Sequence, residues 1–210
     1  MKKLLAILAL VLCLALTGCA AKDPLEGIEN PIATFTLSDG REMRFELLVH
    51  DAPNTVANFI SLAQRGYYDG LEFFRVVPGV LAQSGDLKND GTGNAGYTIQ
   101  GEFSANGIAN DVKHIRGTIS MCRTDEYDSA SSQFFIVGGS YPEYDGEYAA
   151  FGRAMDNESL QVVDSITNAQ VDSSYAPMGN MPKIASVRIN THGYKYTPAK
   201  IALPEEDEAD

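Results

Sequence analysis

The sequence predicts a mainly β domain closed into a barrel, with two helices. Three observations predict it. Short stretches rich in β-branched and aromatic residues recur along the chain, bounded by Gly, Pro, Asn or Asp. Only two stretches carry apolar residues at helical spacing. Strand and helix do not alternate regularly, which argues against a doubly wound parallel sheet, whereas a closed barrel hides its own strand edges.

The elements follow in order. Pro31 to Leu37 and Arg41 to Leu47 form a hairpin across Ser38-Asp39-Gly40. Asp51-Ala52-Pro53 opens a helix in which Val56, Phe59 and Leu62 keep helical spacing, and Gly66 ends it. Strands are expected at 72–77, 80–85, 97–100, 117–121, 133–137 and 149–154. A second helix covers Ser159 to Thr167, with Leu160, Val163 and Ile166 on one face, and a last strand runs from Ile184 to Asn190. Residues 31–193 thus read as one domain, large enough for a sizeable core. Residues 194–210 read as a disordered acidic tail, closing on Glu205-Glu206-Asp207-Glu208-Ala209-Asp210.

The first thirty residues speak to location. A basic start, Met1-Lys2-Lys3, precedes an apolar run from Leu4 to Leu16 that is short for a membrane span, so residues 1–18 read as a signal peptide. Leu16-Thr17-Gly18-Cys19 resembles a bacterial lipobox, which implies cleavage before Cys19 and lipid on its thiol. Residues 19–30 are then a lipidated tether, since several acyl chains on one residue anchor stably where one binds marginally. The expected product is extracytoplasmic and lipid-anchored to a bacterial membrane, with inner and outer membrane both open. After cleavage and lipidation only Cys122 remains as a thiol, so no internal disulfide forms. Loss of Lys2 and Lys3 takes the formal charge from −12 to −14. That acidity argues against nucleic acid as a partner and against electrostatic adhesion to anionic lipid.

Two segments carry the chemistry. The first is Phe73-Phe74-Arg75-Val76-Val77-Pro78-Gly79-Val80-Leu81-Ala82-Gln83-Ser84-Gly85-Asp86, and the second is Ser132-Gln133-Phe134-Phe135-Ile136. Alternation puts Arg75 and Val77 on one face and, beyond the Pro78-Gly79 turn, Leu81 and Gln83 on one face. A hairpin then gathers a permanently charged fork donor, an amide and apolar side chains into a small pocket without a nucleophile. Other motifs carry less. Gly91-Thr92-Gly93-Asn94-Ala95-Gly96 is a literal G-x-G-x-x-G, but it lacks the apolar strand before and the helix after that a dinucleotide fingerprint needs. His50, His114 and His192 lack ligand spacing, so no metal is expected. No G-x-S-x-G is present.

These two segments resemble the signature of the cyclophilins, the peptidyl-prolyl cis-trans isomerases. Ala52-Pro53-Asn54-Thr55-Val56, Asn58-Phe59, Gly91-Thr92-Gly93, Ile119-Ser120-Met121, Asp145-Gly146 and Phe151-Gly152 fall in the family's order, so the resemblance spans Pro31 to Gly193. It implies a cyclophilin-like closed eight-stranded antiparallel barrel with an α-helix over each end. It also implies isomerase activity without a cofactor on X-Pro bonds of exported, proline-containing polypeptides.

Carried over by position, Arg75 matches the catalytic arginine, and Gln83 matches the glutamine that binds substrate backbone and orients that arginine. Phe135 matches the aromatic floor of the proline pocket, while alternation turns Phe134 into the barrel. Leu81 stands in a frequent methionine position, Tyr144 on the pocket wall, and Tyr148 where some members have histidine. The backbone of Cys122-Arg123-Thr124 is expected to align the peptide by strand-like pairing. Four departures stand out. Val80 replaces a phenylalanine and widens the pocket; Phe74 replaces a histidine near the arginine. Glu143 replaces a tryptophan, which implies weak cyclosporin binding, and Arg123 to Ser131 is about one residue long. Val80 and Phe74 keep a second reading open: a tethered module that binds proline-containing segments but turns them over poorly.

Overall fold

Register and alternation build the body of the protein. The computed structural model describes residues 25–203. The expected signal peptide, Cys19, the first part of the tether and the terminal acidic run lie outside the described residues. The strands are β1 (Ile32–Leu37), β2 (Glu42–Leu47), β3 (Arg75–Val77), β4 (Leu81–Ser84), β5 (Tyr97–Thr98), β6 (Thr118–Met121), β7 (Phe134–Val137), β8 (Ala150–Ala154), β9 (Ile184–Asn190) and β10 (Ile201–Ala202). The helices are α1 (Pro53–Gln64) and α2 (Asn157–Thr167).

Eight strands make one antiparallel sheet in the order β3-β4-β7-β6-β8-β2-β1-β9. The sheet curls until its ends meet. Ile184, which opens β9, accepts from the Gly70 amide at 2.7 Å and donates to the Leu71 carbonyl at 2.9 Å, just upstream of β3. Two hydrogen bonds, rather than a further strand pair, close the ring. The strand expected at 97–100 shortens to β5 and leaves this sheet to pair with β10.

Inside the ring, alternate residues of β1 and β2 are buried, whereas β6 and β7 are buried at every position. Ala33, Phe35 and Leu37 of β1 meet Met43, Phe45 and Leu47 of β2. Phe59 of α1 stacks on Tyr68 at 4.9 Å and meets Phe134 edge-on at 5.8 Å, the geometries that aromatic quadrupoles favour. Proline fits the first turn of α1 because its missing amide hydrogen has no intrahelical role there. The next free amides are satisfied by a buried carboxylate. Glu102 accepts from Asn54 N at 3.0 Å, Thr55 N at 2.7 Å and Thr55 Oγ1 at 2.7 Å.

The second helix starts earlier than Ser159, because Asp156 caps it by accepting from the Ser159 amide at 2.7 Å. Its buried stripe is Ser159, Val162, Val163, Ile166 and Thr167. Leu160, expected on that stripe, is half-buried and sits over Gly117.

Both ends of the domain extend past 31 and 193. Residues 25–30, expected to be tether, dock on the body: Leu25 packs on the core, and the Asn30 side chain bonds Glu46 and the Val49 amide. The segment from 194 to 203, expected to belong to a disordered tail, also docks. Asn54 and Ala199 exchange two hydrogen bonds of 3.0 and 2.7 Å, and β10 then pairs Ala202 with Tyr97. Backbone pairing there comes from two residues with no strand-like run around them, which is why the composition of the tail conceals it.

Candidate active site

The site is laid out by register. Arg75 pairs with Gln83 across β3 and β4, Gln83 with Phe135 across β4 and β7, and Phe135 with Ser120 across β7 and β6. Directly paired residues share a face, so these four side chains form one row on the outside of the ring. Phe134, one residue out of phase, is fully buried in the core.

A chain of amides holds the row. Arg75 Nη1 donates to Gln83 Oε1 at 3.3 Å, Gln83 Nε2 to Gln133 Oε1 at 2.8 Å, and Gln133 Nε2 to the Gly91 and Gly93 carbonyls at 2.9 and 2.8 Å. The glycine run therefore serves as an anchor. It is folded around buried Asp86, which accepts from the amides of Lys88 at 2.7 Å and Gly91 at 2.7 Å, and β5 follows it instead of a helix. Gly85 permits this turn. Its φ is +91°, and a Cβ there would lie 2.3 Å from the Ser132 carbonyl oxygen.

Beside the row lies a pocket of about 480 Å³. Phe135 and Leu81 are nearly covered and form its base, with Val77 and Val80 packed against them. Tyr144 and Tyr148 meet Phe135 edge-on at 5.9 and 5.5 Å. Cys122 is half-buried, and burial pushes its thiol up to about 12 against a lowering pull from Arg75. It lines the pocket as a neutral, weakly polar side chain. Burial also raises the Tyr144 hydroxyl, so that wall stays uncharged.

Most of the expected site residues come together here: Arg75, Gln83, Phe135, Val80, Leu81, Cys122, Arg123, Tyr144 and Tyr148 all line this pocket. Two do not. Phe74 precedes β3 and is out of phase with Arg75, so it lines a separate cavity of about 670 Å³ with Glu72, Asn89 and Met181. Thr124 lines a neighbouring recess of about 220 Å³ with Gln83 and Gly93. Two of the three backbone amides expected to meet a peptide are already engaged, Cys122 N with the Gln133 carbonyl at 3.0 Å and Thr124 N with Ser129 Oγ at 2.9 Å. The Arg123 side chain has work of its own. Its guanidinium lies 4.9 Å from the Tyr148 ring, 5.1 Å from Tyr127 and 5.2 Å from Phe103, and it donates to the Glu147 carbonyl at 2.9 Å.

Residues not expected from the sequence complete the site. Tyr141 donates to the Gly79 carbonyl at 2.8 Å and stacks on Tyr144 at 5.8 Å. Tyr175 reaches the pocket from a distant loop, and Glu143, already marked by the resemblance as replacing a tryptophan, lines it too. Behind Phe135, the His114 ring stacks at 6.0 Å and 17°. His114 Nδ1 is 3.1 Å from Asp145 Oδ1, and Nε2 is 3.0 Å from Ser120 Oγ. Burial lowers the His114 pKa, while Asp145 pulls it upward. Although serine, histidine and aspartate stand in line, Ser120 is fully covered and cannot reach a substrate, so the line braces Phe135. Among the described residues, no group of three His, Cys, Asp or Glu side chains is placed to hold a metal ion.

Comparison with known proteins bears on the family and the fold. The family model for cyclophilin type peptidyl-prolyl cis-trans isomerase matches residues 32–189. A peptidyl-prolyl cis-trans isomerase of Synechococcus elongatus is 44% identical over 126 residues, covering 60% of this chain and 82% of that protein. Peptidyl-prolyl cis-trans isomerase B of Bacillus subtilis is 40% identical over 137 residues, covering 65% and 91%. Among solved structures, a Cryptosporidium parvum cyclophilin type peptidyl-prolyl cis-trans isomerase, crystallised in the presence of the dipeptide Ala-Pro, superposes with a TM-score of 0.66 at 28% identity, covering 76% of this chain and 98% of that one.

Proposed function

This chain belongs to the cyclophilin-type peptidyl-prolyl cis-trans isomerases, and we propose that Arg75, Gln83 and Phe135 carry its reaction. The observation that supports this reading most is the single row in which a guanidinium, its amide partner and an aromatic base face one pocket. Rotation about an X-Pro bond is opposed by about 18–20 kcal/mol, because resonance gives the C–N bond partial double-bond character. No bond breaks. The site must hold the proline ring and stabilise the twisted amide, whose nitrogen turns pyramidal and regains a lone pair. Phe135 and Leu81 supply the apolar seat for the ring. Arg75 donates to the nitrogen as its lone pair appears, an interaction worth most in the transition state. Gln83 holds that guanidinium in place. Lowering the barrier by roughly 5–7 kcal/mol corresponds to about 10⁴–10⁵-fold.

The setting is part of the proposal. The N-terminal sequence supports an exported lipoprotein tethered through Cys19 outside the cytoplasmic membrane, acting on secreted chains whose folding waits on slow prolines. The first test is isomerisation of a short Xaa-Pro peptide by soluble protein starting at Ala20, beside Arg75→Ala. The expected result is strong acceleration that falls at least tenfold in the variant at unchanged melting temperature. Retained peptide binding without acceleration would make the protein a tethered binding module instead. For the setting, Cys19→Ser should move the full-length protein out of the membrane fraction. Unchanged membrane association would remove the lipid anchor from the proposal.

A further inference from the structure

The loop between α2 and β9 places one side chain in the pocket under unusual backbone constraint. Tyr175 has φ +65°, a left-handed conformation that a bulky side chain rarely adopts. The surrounding turn enforces it. Asp172 Oδ1 accepts from the Ser174 amide at 2.8 Å, Ser174 Oγ at 2.7 Å and the Ala176 amide at 3.0 Å, while Asp172 O accepts from the Tyr175 amide at 3.1 Å. The Tyr175 carbonyl in turn accepts from the Val76 amide at 2.9 Å, tying the loop to the strand next to Arg75. Such strain persists where surrounding structure over-determines it and gathers at functional sites.

That constraint has a visible product. The Tyr175 ring lies at the Arg75 end of the pocket, with its centroid 5.9 Å from the guanidinium carbon. It nevertheless keeps 46% of its surface exposed. Its ring is therefore a partly uncovered aromatic surface carried on a constrained backbone, beside the charge proposed to act on the amide. The opposite end of the pocket, at Cys122 and Arg123, offers backbone and half-buried polar groups.

We propose that Tyr175 forms a specificity subsite, selecting an aromatic or other large apolar side chain on one flank of the substrate proline. This rests on the reading that the proline sits on Phe135 with Arg75 beside it. A flanking ring packed on Tyr175 adds binding in ground and transition states alike, so the selectivity appears in KM.

The experiment compares four peptides, carrying Ala or Phe immediately before or immediately after the proline. Isomerisation and equilibrium binding are both measured for wild-type protein, Tyr175→Phe and Tyr175→Gly. Glycine accepts the positive φ without strain, so the loop keeps its course when the ring is gone. The expected result is an at least threefold preference for Phe on one flank, carried by KM and by binding. Tyr175→Phe keeps the preference and Tyr175→Gly abolishes it, the loss falling chiefly on the Phe-flanked peptide that wild-type protein prefers. Equal handling of all four peptides by wild-type protein, or an unaltered preference in Tyr175→Gly, would overturn the subsite. A fall in kcat on every peptide alike would instead make Tyr175 a support for Arg75. Because binding is read separately, absent turnover would refute the isomerase mechanism and still leave the subsite to be judged on the binding preference.

Discussion

Phe134 and Phe135 are adjacent in β7 yet belong to two different kinds of environment. Phe134 enters the ring interior, where it meets Phe35, Phe59 and Tyr68 and has no exposed surface. Phe135 faces outward into a small separate cluster with Leu81 and Val137, ringed by half-exposed tyrosines. The interior cluster is closed and dense, so it reports on folding. The outer one is shallow and deliberately incomplete, so it reports on binding. One strand serves both because side chains alternate across a sheet.

The sharpest way to break the comparison is to truncate each ring in turn. Phe134→Ala should cost about 3–5 kcal/mol of stability, the range for deleting a buried aromatic from a core that cannot collapse around the void. Phe135→Ala removes a side chain that already borders open space. Its stability cost should be clearly smaller in urea unfolding, while kcat/KM on an Xaa-Pro peptide falls at least tenfold. Equal stability losses, with activity surviving in Phe135→Ala, would erase the distinction between the two clusters.

A second lesion sharpens the comparison from the polar side. Glu102 is buried at the start of α1, where it takes two amides and a hydroxyl. Glu102→Ala leaves those donors without a partner and should cost about 1–3 kcal/mol. Neither Glu102 nor its partners Asn54 and Thr55 line the pocket, so kcat/KM per folded molecule should hold. A drop in activity without a drop in stability would show that the interior and the outer row are coupled.

Alternation and motif spacing made much of this legible. The hairpin, both helices, the inward turn of Phe134 and the partnership of Arg75 with Gln83 all follow from local pattern, because one strand's phase fixes its faces. What the sequence hid is what tertiary contact alone creates. Tyr175 lies a hundred residues from Arg75 in a loop without periodicity, and the Asp172 turn together with the Val76 backbone bond brings it to the pocket. The resemblance puts Phe74 at a histidine position near the arginine, but its phase sends it to another cavity. Ile201 and Ala202 pair with β5 through backbone, which leaves no mark in side-chain pattern.

The smallest expected effect concerns the brace between the two clusters. His114 is one of the few buried titratable side chains, and it sits behind Phe135 with Asp145 on Nδ1, Ser120 on Nε2, the Lys113 ammonium close by Asp145, and the edges of Tyr144 and Tyr148 against its ring. Burial sets its folded pKa below the ordinary 6.5, with Asp145 only partly opposing. Below pH 6.5 the unfolded chain therefore takes up a proton that the folded chain resists. Stability contributed by the neutral ring is present above that pH and is lost as pH falls toward the folded value. Asp145, whose pKa lies below its ordinary 3.8, titrates in a separate and more acidic window. Melting temperature should accordingly fall between pH 7.5 and pH 5.5 in wild-type protein and fall less in His114→Gln. The exposed His50 and His192 remain in both proteins, so the difference isolates His114. If the two slopes coincide, the ring behind Phe135 is indifferent to its charge, and the brace acts through shape alone.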